Sequence, residues 1–268
     1  MISSVIRVLL FLTLVAPFTN AQSDLWSGPK PHGPLAPFVL EMVGTPDGSQ
    51  PSDGKALTFH DTLEKVDWHG HKALKRVAAT TKLGGTEFAR WSTVIFDEKT
   101  LLPYFTEWRR SDGLFLRREY DGLHVKESRT PGAFSQAPPL PPGTKLEITN
   151  TEFDLPEPAL AWIEGVGLPV LLALPLREGF EGSVPVISGD KSSIVPCSAG
   201  PCFVTRMSYR VEGEETITGI SKKPTKTWKV QVPESKFIFW ISKDHPRLER
   251  VTWPGPGGTF TMGPIPEA

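Results

Sequence analysis

Leu114-Phe115-Leu116-Arg117-Arg118-Glu119-Tyr120, then Asp121-Gly122, then Leu123-His124-Val125-Lys126-Glu127, is the stretch that decides the fold. Two β-prone runs meet at an Asp-Gly pair. A two-residue connection between antiparallel strands needs φ > 0, which Gly supplies without strain and Asp tolerates. The stretch therefore predicts a β-hairpin.

The same reading repeats upstream. Leu57–Trp68 and Lys72–Thr81 flank His69-Gly70-His71 as a turn; Trp91–Phe96 runs into Asp97-Glu98-Lys99, and Tyr104–Arg110 into Ser111-Asp112-Gly113. Hairpin after hairpin predicts an antiparallel meander. Beyond a Pro-rich loop at Thr130–Gly143, Asp154 and Glu157 stand in a capping-box relation. Leu160, Ile163, Val166 and Val170 follow at helical spacing, with Trp162, Leu171 and Leu172 widening the apolar face. They predict a main helix near 155–173, weakened at its centre by Gly165, Gly167 and Pro169.

Strand patterns then resume. Phe203, Thr205, Met207, Tyr209 and Val211 alternate with polar neighbours, as do Trp228, Val230 and Val232. Phe237–Ile241 is apolar on both faces, which predicts a central strand; Arg247–Trp253 and Thr259–Met262 follow. The 27 prolines and 24 glycines fit many turns between short strands. No repeat of about 20–50 residues is present, which excludes propellers and solenoids.

The expected fold is mostly β: a curved antiparallel sheet, a half-barrel of ten or eleven strands, with the one helix packed on its concave side. Residues 1–21 read as a signal peptide, 22–54 as a Pro/Gly-rich lead-in with at most one short strand near Phe38–Val43, and 55–268 as a single domain.

Arg7, the apolar run Val8–Phe18 and the small-x-small Thr19-Asn20-Ala21 make up the three parts of a secretory signal, with cleavage expected after Ala21. About 11 apolar residues fall short of the roughly 20 that span a bilayer. The expected setting is periplasmic or secreted, with no membrane span in the mature chain. In that oxidising compartment, Cys197 and Cys202 in Cys-Ser-Ala-Gly-Pro-Cys are expected to form a small-loop disulfide. With 29 Lys and Arg against 30 Asp and Glu, there is no electrostatic case for a nucleic-acid partner.

Catalytic and cofactor motifs are missing: no His-Glu-x-x-His, Gly-x-Ser-x-Gly, Walker loop or dinucleotide fingerprint. Ser188-Gly-Asp-Lys191 matches Ser-x-x-Lys only by letters, in a turn rather than at a helix start. His69 and His71 flank a turn glycine with no third metal ligand in view, and His60, His124 and His245 are scattered. No cofactor and no metal are expected. The eight tryptophans are more suggestive, because a sheet curved around an apolar helix can leave a cavity. Trp91, Tyr104, Trp108, Phe115, Trp162 and Trp240 are the candidate ligand-lining residues, subject to strand register.

Phe96-Asp97 through Pro103, Leu171–Gly179, Tyr209-Arg-Val-Glu-Gly-Glu214, and Phe239-Trp-Ile-Ser-Lys-Asp244 with Pro246-Arg247 occur in this order. Together, over about residues 90–253, they resemble a group of exported bacterial proteins of unknown function, similar in shape to the LolA/LolB lipoprotein-carrier half-barrel. The resemblance implies a concave apolar face and carries over no catalytic residues. Three functions stay open: binding of an apolar or lipid-like molecule in the half-barrel; an envelope interaction protein using a sheet edge or the 131–143 loop; and a hydrolase with scattered acidic or His residues.

Overall fold

The computed structural model describes residues 35–46, 56–82, 89–131, 140–162, 171, 176–188, 195–197, 200–202, 204–233, 235–244, 247–255 and 258–263. The segment read as a signal peptide lies outside them. No helix among the described residues is long and apolar enough to cross a membrane.

The meander forms as its turns dictate: β1 (Phe38–Pro46), β2 (Leu57–Trp68), β3 (His71–Lys82), β4 (Ala89–Asp97), β5 (Pro103–Arg110), β6 (Phe115–Asp121), β7 (His124–Arg129) and β8 (Thr149–Asp154). Between β2 and β3, His69 (φ 52) and Gly70 (φ 85) both take the positive φ of a two-residue turn. Asp67 Oδ1 accepts the Gly70 N–H at 2.8 Å, fixing that turn. After β9 (Leu160–Trp162), β10 (Glu181–Ser188), β11 (Val195–Cys197) and β12 (Gly200–Cys202) come β13 (Val204–Thr218), β14 (Pro224–Val232), β15 (Phe237–Ser242), β16 (Leu248–Gly255) and β17 (Gly258–Gly263).

Fifteen of these strands join in one sheet, ordered β8-β7-β6-β5-β4-β3-β2-β1-β17-β16-β15-β14-β13-β10-β9, against the ten or eleven expected. β1 comes from the stretch read as lead-in, yet it lies mid-sheet, paired with both β2 and β17. Every pairing is antiparallel except β9 with β10.

The expected helix on the concave side is not formed: the described residues contain no helix element, and Leu160–Trp162 is a strand. Pro156 and Pro158 explain the failure at its start. Each lacks an N–H donor and pushes the residue before it out of the α region. The apolar spacing from Leu160 is met instead by ladder pairing with β10. Residues 163–170, 172 and 173 of that expectation fall outside the described ones, while Leu171 is fully buried in the core. Without closing helices, the LolA/LolB-type carrier shape is not what these residues build.

The two edge strands, β8 and β9, are successive in the chain, joined only by residues 155–159. Six Cα steps reach at most about 20 Å, whereas a flat sheet of fifteen strands would hold its edges about 65 Å apart. The sheet must therefore curl. β9 comes against β5 and β12 against β8, so the end of the sheet laps its beginning. Side chains close the seam in place of a backbone ladder: Tyr120, Val125 and Phe153 from β6–β8 meet Leu155, Ala159, Ile187 and Val204.

The inner face carries a second, larger core that includes Leu63, Leu74, Val94, Phe96, Trp108, Leu116, Leu160 and Val230. It is not purely apolar. Leu63, Arg76, Val94, Thr106, Arg118 and Glu127 are successive partners across six strands, all buried on one row. Asp61 pairs with Arg76 (Nε to Oδ1 2.8 Å), and Glu127 Oε2 accepts from Arg118 Nε at 2.7 Å. These pairs answer the need of buried charge for a partner.

β11 and β12 form a separate two-stranded ribbon. Its register sets Cys202 opposite Val195 and Cys197 opposite Gly200, so the cysteines are diagonal rather than directly opposed. Diagonal neighbours stand about 7–8 Å apart at Cα, beyond the roughly 4.4–6.8 Å that a disulfide spans, so this register does not support the expected bridge.

Candidate rim cleft

In an up-and-down meander, alternate turns gather at one end. The turns joining β2 to β3, β4 to β5 and β6 to β7 therefore share a rim of the curled sheet, together with the end of β8. At that rim Trp68, His69, Tyr104, Glu119, Tyr120, Asp121, His124, Lys126 and Glu152 enclose a cleft of about 490 Å³.

Register builds its floor. Phe105, Glu119, Lys126 and Glu152 are successive partners on β5–β8, and Asp121, His124 and Asp154 form the next row toward the rim. Trp68 closes one side: its ring lies 5.7 Å from Phe105 and meets His69 edge-on at 4.8 Å. Tyr104 closes another. Its hydroxyl donates to Asp97 Oδ2 at 3.0 Å, and its ring lies 5.3 Å from that of His71. Burial together with the neighbouring Asp97 charge pushes the Tyr104 phenol well above its usual range, so it stays a neutral donor. Burial opposes the Asp97 charge, yet hydrogen bonds from Thr100 N, Lys99 N, Tyr104 and the Thr100 hydroxyl outweigh it and lower its pKa.

His124 and Lys126, on the floor of the cleft, each have an acid on the edge strand. His124 Nδ1 lies 2.9 Å from Asp154 Oδ1, and its Nε2 lies 3.4 Å from Glu152; Lys126 Nζ stands 4.0 Å from Glu152. The hydrogen bond with Asp154 raises the His124 pKa, helped by the charges of Asp154 and Glu152. A raised folded-state pKa means that this cross-strand tie is at full strength below the ordinary value near 6.5 and is lost as pH rises through the folded value. An NMR titration of the His124 ring is expected to give a midpoint above the ordinary value, and Asp154→Asn to bring it back. A wild-type midpoint at or below the ordinary value contradicts the tie.

Of the six aromatic residues expected to line a cavity, Tyr104 reaches this cleft. Trp91 (37% exposed) and half-buried Phe115 share one row through Arg109. Trp108 points to the opposite face and is fully buried. Trp240 is buried with its indole N–H donating to Glu215 Oε2 at 2.9 Å. Trp162 belongs to β9, and its side chain lies outside the described residues. The five described ones do not converge. Sequence reading passed over Trp68, His69, Glu119, Asp121, His124, Lys126 and Glu152 as core, turn or surface residues. The parity of the meander, which places the His69-Gly70 and Asp121-Gly122 turns at one end, was the available signal.

Fold and cleft together define an all-β protein with a single curled sheet and a mixed aromatic and charged cleft at one rim. No family model matches the chain, and no curated protein matches it. Among solved structures it is similar to the crystal structure of a beta-barrel-like protein of the domain of unknown function DUF1849 from Brucella abortus. That likeness covers 86% of this chain and 95% of the other at 10% identity, with a TM-score of 0.37.

Proposed function

We propose that this is a non-enzymatic binding protein that takes a small polar ligand in the rim cleft. The observation that carries the reading is the cleft itself: about 490 Å³, with two aromatic walls over two rows of charged side chains. Specific small-molecule sites pair apolar or aromatic surface with a few convergent polar groups. What supports a seat at the rim over an apolar one within the curl is the packing of Trp108, Leu116 and Leu160. What supports binding over acyl transfer is the lining, which offers His124 no Ser, Thr or Cys as a nucleophile. The export segment read at residues 1–21 makes the periplasm or the outside of the cell the proposed setting.

The test is a ¹⁵N–¹H NMR screen of the mature protein with small amines, amino acids and short sugars. A binder is expected to move the amides of Gly70, Asp121, Gly122 and Lys126, and Trp68→Ala to weaken it at least about tenfold, the equivalent of about 1.4 kcal/mol. Trp91→Ala, outside the cleft, should leave binding unchanged. Shifts confined to the interior strands, or no shift with any probe, overturn the reading.

A further inference from the structure

The cleft has aromatic walls, a defined volume and an uneven charge, and the three observations select among ligand classes. Trp68 and Tyr104 stand on its sides. Below them, the two floor bases face acids on the edge strand: His124 lies 2.9 Å from Asp154 and Lys126 4.0 Å from Glu152, while His69 stands at the rim beside Trp68. Glu119 and Asp121 also line the cleft, yet among the described residues neither has a basic partner within an ion-pair distance. A vacant carboxylate pair under aromatic rings repels anions and gives a neutral ligand no use for the charge. It suits a cation whose hydrocarbon skin can lie on ring faces, where the quadrupole of the π-system attracts positive charge.

We infer that the cleft takes an organic cation, an amine or quaternary ammonium, with its charged nitrogen between Glu119 and Asp121 and its alkyl groups against Trp68 and Tyr104. This rests on the rim-cleft reading and names its ligand class. Binding is non-covalent, and it weakens as salt screens the two exposed carboxylates. His124 stays paired with Asp154 and is not part of the cation's seat.

The probes are choline, spermidine, cellobiose and 3,3-dimethyl-1-butanol, a neutral molecule with the shape of choline. Binding is read by calorimetry and by the cleft amides. At least one of the two cations is expected to bind, and for choline the neutral analogue should be at least tenfold weaker. Glu119→Gln with Asp121→Asn should reduce cation affinity by about tenfold to a hundredfold. Both side chains are exposed, so the double variant should keep the wild-type melting temperature, which is measured alongside. Cellobiose or the neutral analogue binding in the cleft as tightly as the cations, unaffected by the double variant, overturns the charge assignment and leaves the rim cleft as the binding seat. Cleft amides that respond to no probe of any charge overturn both.

Discussion

Trp108→Ala is expected to lower the stability of the folded protein by about 3–5 kcal/mol. Trp108 is 0% exposed and lies on the inner face between its register partners Ser92 on β4 and Leu116 on β6. Truncation removes the transfer energy of an indole and leaves a void that neighbouring strands, held by ladders on both sides, can close only in part. Trp91→Ala is the control. It lies on the same pair of strands but is 37% exposed and faces the other way, so its loss should cost under about 1 kcal/mol. Urea unfolding followed by circular dichroism measures both. Equal costs for the two variants would contradict an enclosed interior.

The second large effect concerns charge. Arg118 and Glu127 are direct cross-strand partners, 0% and 4% exposed, at one end of the buried row. Glu127→Ala removes the carboxylate that accepts from Arg118 Nε, and Arg118 cannot reach water without opening the sheet. Breaking such a pair from one side costs about 3–5 kcal/mol, because the remaining charge is buried with less compensation. Replacing both, Arg118→Met with Glu127→Leu, should recover most of that loss, since apolar groups of similar volume carry no desolvation penalty. A double-mutant cycle in urea provides the measurement. A double variant less stable than Glu127→Ala alone would sink the account and make the arginine's packing, not its pairing, the source of the loss.

The contrast between Arg117 and Arg118 shows where sequence reading stopped. Both follow Leu116 in a β-prone run, and one must point inward because neighbours alternate. Arg117 faces out and pairs with Glu107 at 2.7 Å, while Arg118 faces in and pairs with Glu127 at the same distance. Residue type could not choose between them. The choice follows from Leu116 and Tyr120, which must face the core and the seam and take Arg118 with them. An inward arginine also erases the alternation by which a half-buried strand is recognised.

The candidate cleft was legible in its parts and illegible as a whole. His69-Gly70 was read correctly as a turn and Trp68 closes a strand as expected, whereas the Asp121-Gly122 turn falls one residue later, at Gly122-Leu123, with Asp121 still in β6. Their convergence depends on register: Lys126 faces Glu119 through the β6–β7 ladder, and only the pairing of β8 with β7 brings Glu152 to Lys126 and Asp154 to His124. β8 carries no strong strand pattern. Four of its six residues are exposed in sequence, Thr149 through Glu152, so no hydrophobic face announces it.

What the sequence by itself determined is therefore local: the strands from Leu57 to Glu127, the turns between them, and the strands from Met207 to Met262. Those elements follow from φ preferences at Gly and Asp and from short-range patterning, which act within a few residues. The tertiary structure alone decided that β1 bridges the two halves of the sheet and that residues 160–162 form an edge strand in place of a helix. It also decided that two ion pairs lie inside the curl and that a cleft opens at its rim. Each of these depends on pairing between segments far apart in the chain, where the energy of burial and of ladder hydrogen bonds outweighs the fraction of a kilocalorie per residue by which local propensity speaks.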